Sequence, residues 1–128
     1  MKLRIKDNAL RVRIQQHELS QLHNQGELIN EVRFGPAADQ VFSYKLVASN
    51  RTKKLEGAFY NQCICITVPR DAVLEMVQTE RVGISNMQSV DDGNSLSLVF
   101  EKDFKCLTPR EEDRDAFPHP AESIDHQC

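Results

Sequence analysis

Tryptophan is absent from this 128-residue chain, aromatic residues make up only 6%, and glycine and proline number five each. So few glycines and prolines exclude a low-complexity or fibrous sequence. So few aromatics leave little with which to stack nucleobases. No apolar run approaches the roughly 18 residues that a membrane-spanning helix requires. The opening MKLRIKDNALRVRI alternates charged with apolar residues and lacks the unbroken apolar core and cleavage site of a signal peptide. The expectation is a soluble cytoplasmic protein without membrane contact. There is no Walker loop, no dinucleotide fingerprint and no His-Glu-x-x-His motif, the usual signatures of phosphate, dinucleotide and zinc-peptidase chemistry.

Cysteine is present but in an unhelpful arrangement for metal. Cys63 and Cys65 sit two apart in an apolar strand, while Cys106, His119, His126 and Cys128 are spread along the C-terminal segment without the tight pairing of structural zinc. With no secretory context, all four cysteines read as reduced thiols. No metal and no cofactor is expected.

What remains is a chain of 40% hydrophobic and 27% charged residues, enough for one modest core. Leu3 and Ile5, then Leu10, Val12 and Ile14, alternate with charged residues across Asp7-Asn8, which predicts a β-hairpin with one buried face. HELSQLHNQG, with Leu19 and Leu22 ending at Gly26, predicts a short helix. Residues 28–34 read as a strand. Val41 to Ala48 and Leu55 to Tyr60, flanking SNRTKK, read as a second hairpin. CICITVP is a strand rich in β-branched residues, and Pro69 opens a second short helix over 70–78 with Ala72, Val73, Met76 and Val77 on one stripe. Val82 to Val90 and Leu96 to Phe100 are strands joined by Asp91-Asp92-Gly93-Asn94. The fold class is α+β, a mainly antiparallel sheet or partly open barrel of about eight strands with two short helices. Placing Ile14 on Val68 also sets Leu10 on Ile64, Leu19 on Val73, Leu22 on Met76 and Leu28 on Val82, so an internal pseudo-repeat of 54 residues is proposed. The expected organisation is one domain over residues 1–105, an extended strap over 106–120 and a flexible tail over 121–128.

Charge is uneven. Residues 1–14 hold five bases, Lys2, Arg4, Lys6, Arg11 and Arg13, and one acid, whereas residues 101–128 hold eight acids and four bases. All five bases fall on one face of the predicted hairpin. Three uses compete for that face: a solvated edge whose cations discourage aggregation, a seat for the chain's own acidic strap, and a site for a small anion, nucleotide or nucleic acid. The strap residues are Phe104, Cys106, Arg110, Glu111, Glu112, Asp113, Asp115 and Phe117, with Phe104 and Phe117 expected in apolar slots. A net charge of −3 makes nucleic acid the least favoured partner.

The segments LRIKDNALRVRI and EKDFKCLTPREEDRDAFPHP together resemble a small bacterial family of uncharacterised proteins, a domain of unknown function that implies no chemistry. Over less than half of the chain, LRVRIQQHELSQL and ICITVPRDAVLEMVQTERVGI resemble the strand, helix and strand of the swapped-hairpin AbrB-like regulators. Thr79-Glu80-Arg81 departs from the acidic residue and glycine usual there, and the acidic net charge opposes the DNA-binding role that this resemblance implies. The functional expectation is an interaction or regulatory module with an unknown protein partner and no catalytic residue. Anion binding at the basic face is the alternative, and an enzyme or metal site at Cys106 a minor one. An open sheet edge would leave room for a homodimer.

Overall fold

Period-two alternation on either side of Asp7-Asn8 folds β1 (Lys2–Lys6) against β2 (Ala9–Ile14), with Leu3 opposite Val12 and Arg4 opposite Arg11. A computed structural model describes residues 1–105 and 115–120 of the chain. After β2 come α1 (Gln16–Gln25), β3 (Glu27–Arg33), a single 3₁₀ turn (Ala38–Gln40), β4 (Val41–Ser49), β5 (Glu56–Tyr60), β6 (Cys63–Pro69), α2 (Arg70–Gln78), β7 (Gly83–Asp91) and β8 (Asn94–Lys102). The eight strands form two mixed four-stranded sheets, ordered β1-β2-β8-β7 and β3-β4-β6-β5. No closed barrel forms; in each sheet the two central strands run parallel and the outer pairs antiparallel.

The 54-residue periodicity is built into the topology. A shift of 54 carries Lys2 to Glu56, Ala9 to Cys63 and Ser43 to Ser97, and the parallel registers Ala9↔Ser97 and Ser43↔Cys63 are the same pairing read from either half. The isolated bonds repeat too: Ser97 N–H donates to the Asn8 carbonyl as Ser43 N–H does to Gln62. Each half therefore consists of hairpin, helix and hairpin, and its first hairpin pairs with the second hairpin of the other half.

The repeat slips after the helices. α1 stops at Gly26, whose φ of 80° is the left-handed conformation that glycine takes without strain, and β3 begins at once. α2 has no glycine to stop it. Its end is tied instead by Thr79, whose N–H and hydroxyl both donate to the Glu75 carbonyl, and by Arg81 Nη1 at 2.7 Å from Glu75 Oε2. The longer link moves β7 by two positions, so that Ile84, not Val82, corresponds to Leu28: Leu28 pairs with Leu46, and Ile84 with Phe100. Val82 is exposed accordingly.

The expected second hairpin of β4 with β5 is not formed. β6 lies between them, parallel to β4 and joined to β5 through the turn at Asn61-Gln62. Both turn residues have positive φ, 51° and 56°, as a tight two-residue hairpin requires. Cys63, Ile64, Cys65, Ile66 and Val68 of β6 are buried, so this strand gains most from a central place. Inward residues of both sheets and the helices make one core, in which Phe100, Ile14, Leu22, Leu46, Leu55, Met76 and Leu98 are the largest fully buried side chains.

The two sheets meet where β5 and β7 approach. Gln88 reaches across, accepting from the Gly57 N–H at 2.9 Å and donating to its carbonyl at 2.8 Å, and Asn86 donates to the Leu55 carbonyl at 2.9 Å. One side chain thus satisfies both backbone groups of a strand residue. In the other half Val32 occupies the place of Gln88 and can make neither bond.

Two consequences are measurable. Gln88→Val leaves two part-buried backbone groups without partners and lowers stability by about 1–3 kcal/mol in chemical denaturation; an unchanged midpoint would show that the seam contributes nothing. The second concerns Glu18, which accepts from the Gln15 N–H at 2.8 Å and from the N-terminal ammonium. Burial pushes its carboxyl upward, but the Gln15 bond, the ammonium and the nearby His17 outweigh that and hold it below the ordinary value of 4.5. A lowered folded-state pKa stabilises the protein above the unfolded value and loses that effect as pH falls through the folded one. Wild type should therefore exceed Glu18→Gln in denaturation midpoint at neutral pH, and the gap should close as the pH drops below 4.5.

Candidate functional site

The five predicted basic residues come together on the outer face of the first sheet. Its hydrogen-bonded rows place Lys2 opposite Arg13 and Arg4 opposite Arg11, with Lys6 opposite Ala9 at the turn. Because β2 pairs with β8, the rows continue as Arg13 to Glu101, Arg11 to Val99 and Ala9 to Ser97, and through β7 to Gly83, Ser85 and Met87. The alternate rows, with Leu3, Val12, Phe100 and Leu98, face the core.

Like charges directly opposite one another repel, and the fold sets two acids among them. Glu101 Oε1 lies 3.0 Å from Arg13 Nε and 3.5 Å from Arg11 Nε, and Asp103 Oδ2 lies 3.1 Å from Lys2 Nζ. Both acids were expected beyond the last strand, which the sequence reading ends at Phe100. β8 instead extends through Lys102, so Glu101 is a strand residue facing Arg13, and the Asp103 N–H donates to the Ile14 carbonyl at 2.8 Å. Gly83, opposite Glu101, permits the close packing of β7 there: a Cβ would lie 2.2 Å from the Phe100 carbonyl oxygen. Among the described residues, five cations of this face stand beside these two carboxylates, with Asp7 at the turn. Beside them Arg4, Lys6, Asn8, Arg11 and Ser97 border a shallow groove of about 330 Å³.

A second cleft, about 360 Å³, opens between the start of α1 and the end of α2, floored by Ile14, Leu19 and Met76 and edged by Thr79, Lys102 and Phe104. Its charged groups are already engaged: Lys102 Nζ donates to the Thr79 carbonyl at 3.3 Å and Asp103 pairs with Lys2. At the equivalent place in the other half, the Arg70 guanidinium packs against Gly26.

Of the strap residues, Phe104 is 63% exposed at that cleft and Phe117 is 97% exposed, so Phe117 occupies no apolar slot; Asp115 is exposed as well. Cys106, Arg110, Glu111, Glu112 and Asp113 lie outside the described residues. Cys63 and Cys65 are buried free thiols. Among the described residues, no group of three or more histidines, cysteines and acids is placed to hold a metal ion, and no helix is long and apolar enough to cross a membrane. Reasoning from sequence missed Glu101 and Asp103 as the counter-charges of the basic face. The alternation Leu96, Leu98, Phe100 continues to Lys102 and was the available signal, but only the parallel register shows which cations Glu101 meets.

No curated protein and no solved structure matches the chain. Residues 1–121 match the family described as a family of unknown function, DUF7009, and the chain belongs to that family.

Proposed function

We propose that the protein is an interaction module without a catalytic centre, and that the cationic outer face of its first sheet engages an anionic partner. One observation carries this reading. The fold occurs twice in the chain, and the positions equivalent to Lys2, Arg4, Lys6, Arg11 and Arg13 in the second sheet are Glu56, Ala58, Tyr60, Cys65 and Thr67, in the same register. At those five positions the architecture is satisfied without a cation, although Lys45 lies beside Cys65 on the same row. The basic face is therefore not something the sheet needs in order to form.

Edge protection explains it only in part. Lysines on an outermost strand deter unwanted pairing, but Arg11 and Arg13 lie on β2, which has a neighbour on both sides. A cytoplasmic setting belongs to the same proposal, since Cys63 and Cys65 are free thiols in keeping with a reducing compartment.

A second reading draws on Glu101 and Asp103: the acidic run Glu111, Glu112, Asp113 and Asp115 competes with the partner for the face that these two acids already contact. The two readings differ on truncation. Ending the chain after Lys105 should raise the salt needed to elute the protein from heparin if the run competes, and leave it unchanged if it does not.

The main proposal is tested by charge. Lys2→Glu/Lys6→Glu should lower the eluting salt concentration markedly while preserving the circular dichroism spectrum, because exposed ion pairs contribute about 0–1 kcal/mol to folding. Glu101→Gln, which releases Arg11 and Arg13, should bind heparin more tightly and cost about 1 kcal/mol of stability. Retention indifferent to all of these changes would refute the basic face as a binding surface.

A further inference from the structure

We infer that the α-amino group of Met1 is a modification site whose state the fold reads: when free it is seated on Glu18 at the start of α1, and N-acylation undoes that seat and loosens the junction of β1 with α1.

The Glu18 carboxylate divides its two oxygens. Oε1 accepts from the Gln15 N–H at 2.8 Å, closing the first turn of α1, and Oε2 accepts from the Met1 ammonium. The Met1 side chain is 1% exposed and packs on the core, which fixes the amine beside the helix. Lys2, the first residue of β1, follows directly. One carboxylate thus ties the start of the first strand to the start of the first helix. The Gln15 N–H alone does not call for a charge, because a neutral glutamine at the third helical position also completes such a capping box. The ammonium does.

The second half of the chain supplies the control. A shift of 54 carries Met1 to Leu55, Gln15 to Pro69 and Glu18 to Ala72. Leu55 enters the fold through a peptide bond and bears no charge on its nitrogen, and Pro69 has no N–H to donate. Both donors that Glu18 serves are missing there, and so is the acid: Ala72 is 3% exposed. The fold therefore accepts an uncharged amide at this place when the helix offers an alanine. It sets a carboxylate on the helix where the amine is ionised.

Acylation gives Met1 the uncharged nitrogen of Leu55 while leaving Glu18 in place. With an acyl thioester as donor, the nitrogen bonds to the acyl carbon and the C–S bond breaks; the thiol leaves with one proton and a second passes to solvent. Hydrolysis of a formyl group runs the other way: water adds to the formyl carbon, the C–N bond breaks, formate leaves and the nitrogen is left as the ammonium. Either acyl group removes the charge that Oε2 accepts from, and a part-buried carboxylate without its partner is costly. Linkage makes the effect reciprocal, so folding opposes acylation by the factor with which acylation opposes folding.

The test compares full-length wild type and Glu18→Gln, each with a free, a formylated and an acetylated amine, in urea titrations. Glu18→Gln keeps an acceptor for the Gln15 N–H and so keeps the helix start. In wild type both acyl groups should raise the unfolded-to-folded ratio about tenfold or more, as for loss of a hydrogen bond between charged groups. In Glu18→Gln the same groups should change it by less than twofold. Hydrogen exchange of the first-turn amides of α1 should quicken in acylated wild type alone. An unchanged ratio in acylated wild type overturns the inference. An equal loss in Glu18→Gln overturns it too, since the effect would then not pass through the carboxylate. A loss with acetyl but none with formyl overturns it as well, because size rather than charge would be the cause.

Discussion

The two parallel strand pairings, β2 with β8 and β4 with β6, are the constraint on which the rest of the structure depends. Each joins a hairpin from one half of the chain to a hairpin from the other, so neither sheet exists until both halves contribute. The inward residues at these junctions, Val12, Leu46, Ile66, Leu98 and Phe100, are among the most deeply buried in the molecule. Backbone pairing and apolar burial are thus satisfied together by one exchange. The helices follow from it: each connects a hairpin of one sheet to a hairpin of the other, and they pack on one another where the two connections meet.

Given so regular a scaffold, departures from its symmetry are informative. Three are physical adjustments with clear causes. The end of α2 uses Thr79 and Arg81 in place of a glycine, the β5–β7 seam uses Gln88 where the other half has Val32, and Arg70 covers a position whose counterpart stays open as a cleft. The fourth is the set of cations on the outer face of β1 and β2. Packing does not call for it, and among the described residues Glu101 and Asp103 are the acids that pair with it. In a molecule that supplies its own control surface, this is the difference that a function would explain.

Much of this was legible in the sequence because it rests on local periodicity. The alternation from Leu3 to Ile14 fixes a hairpin and puts five bases on one side of it; Leu19 with Leu22, and Val73 with Met76, mark the helical faces; and the 54-residue spacing of the apolar positions is written in the sequence itself. Strand order was not legible. Residues 41–48 and 55–60 look like neighbours because a short polar link joins them, and only the burial of Cys63 to Val68 shows why another strand must come between. The extra link before β7 was hidden for a related reason: Val82 and Ile84 share a strand face, and choosing between them needs the pairing with Phe100. Glu101 stood in plain view, yet its partner Arg13 lies 88 positions away, Arg11 farther still, and no local pattern names them.

The exchanged hairpins also say something about how the chain reaches this state. Half of it, folded alone, would display two unmatched strands, each complementary to a strand of an identical half. Two such fragments could satisfy one another only by meeting in solution, at a rate and extent set by their concentration. Covalent linkage through residues 50–55 turns that encounter into a unimolecular closure, at an effective concentration of the order of millimolar for a short tether. The continuous chain thereby gains a fold independent of dilution, and it gains the freedom to let one copy of the repeated unit change its surface while the other keeps the architecture.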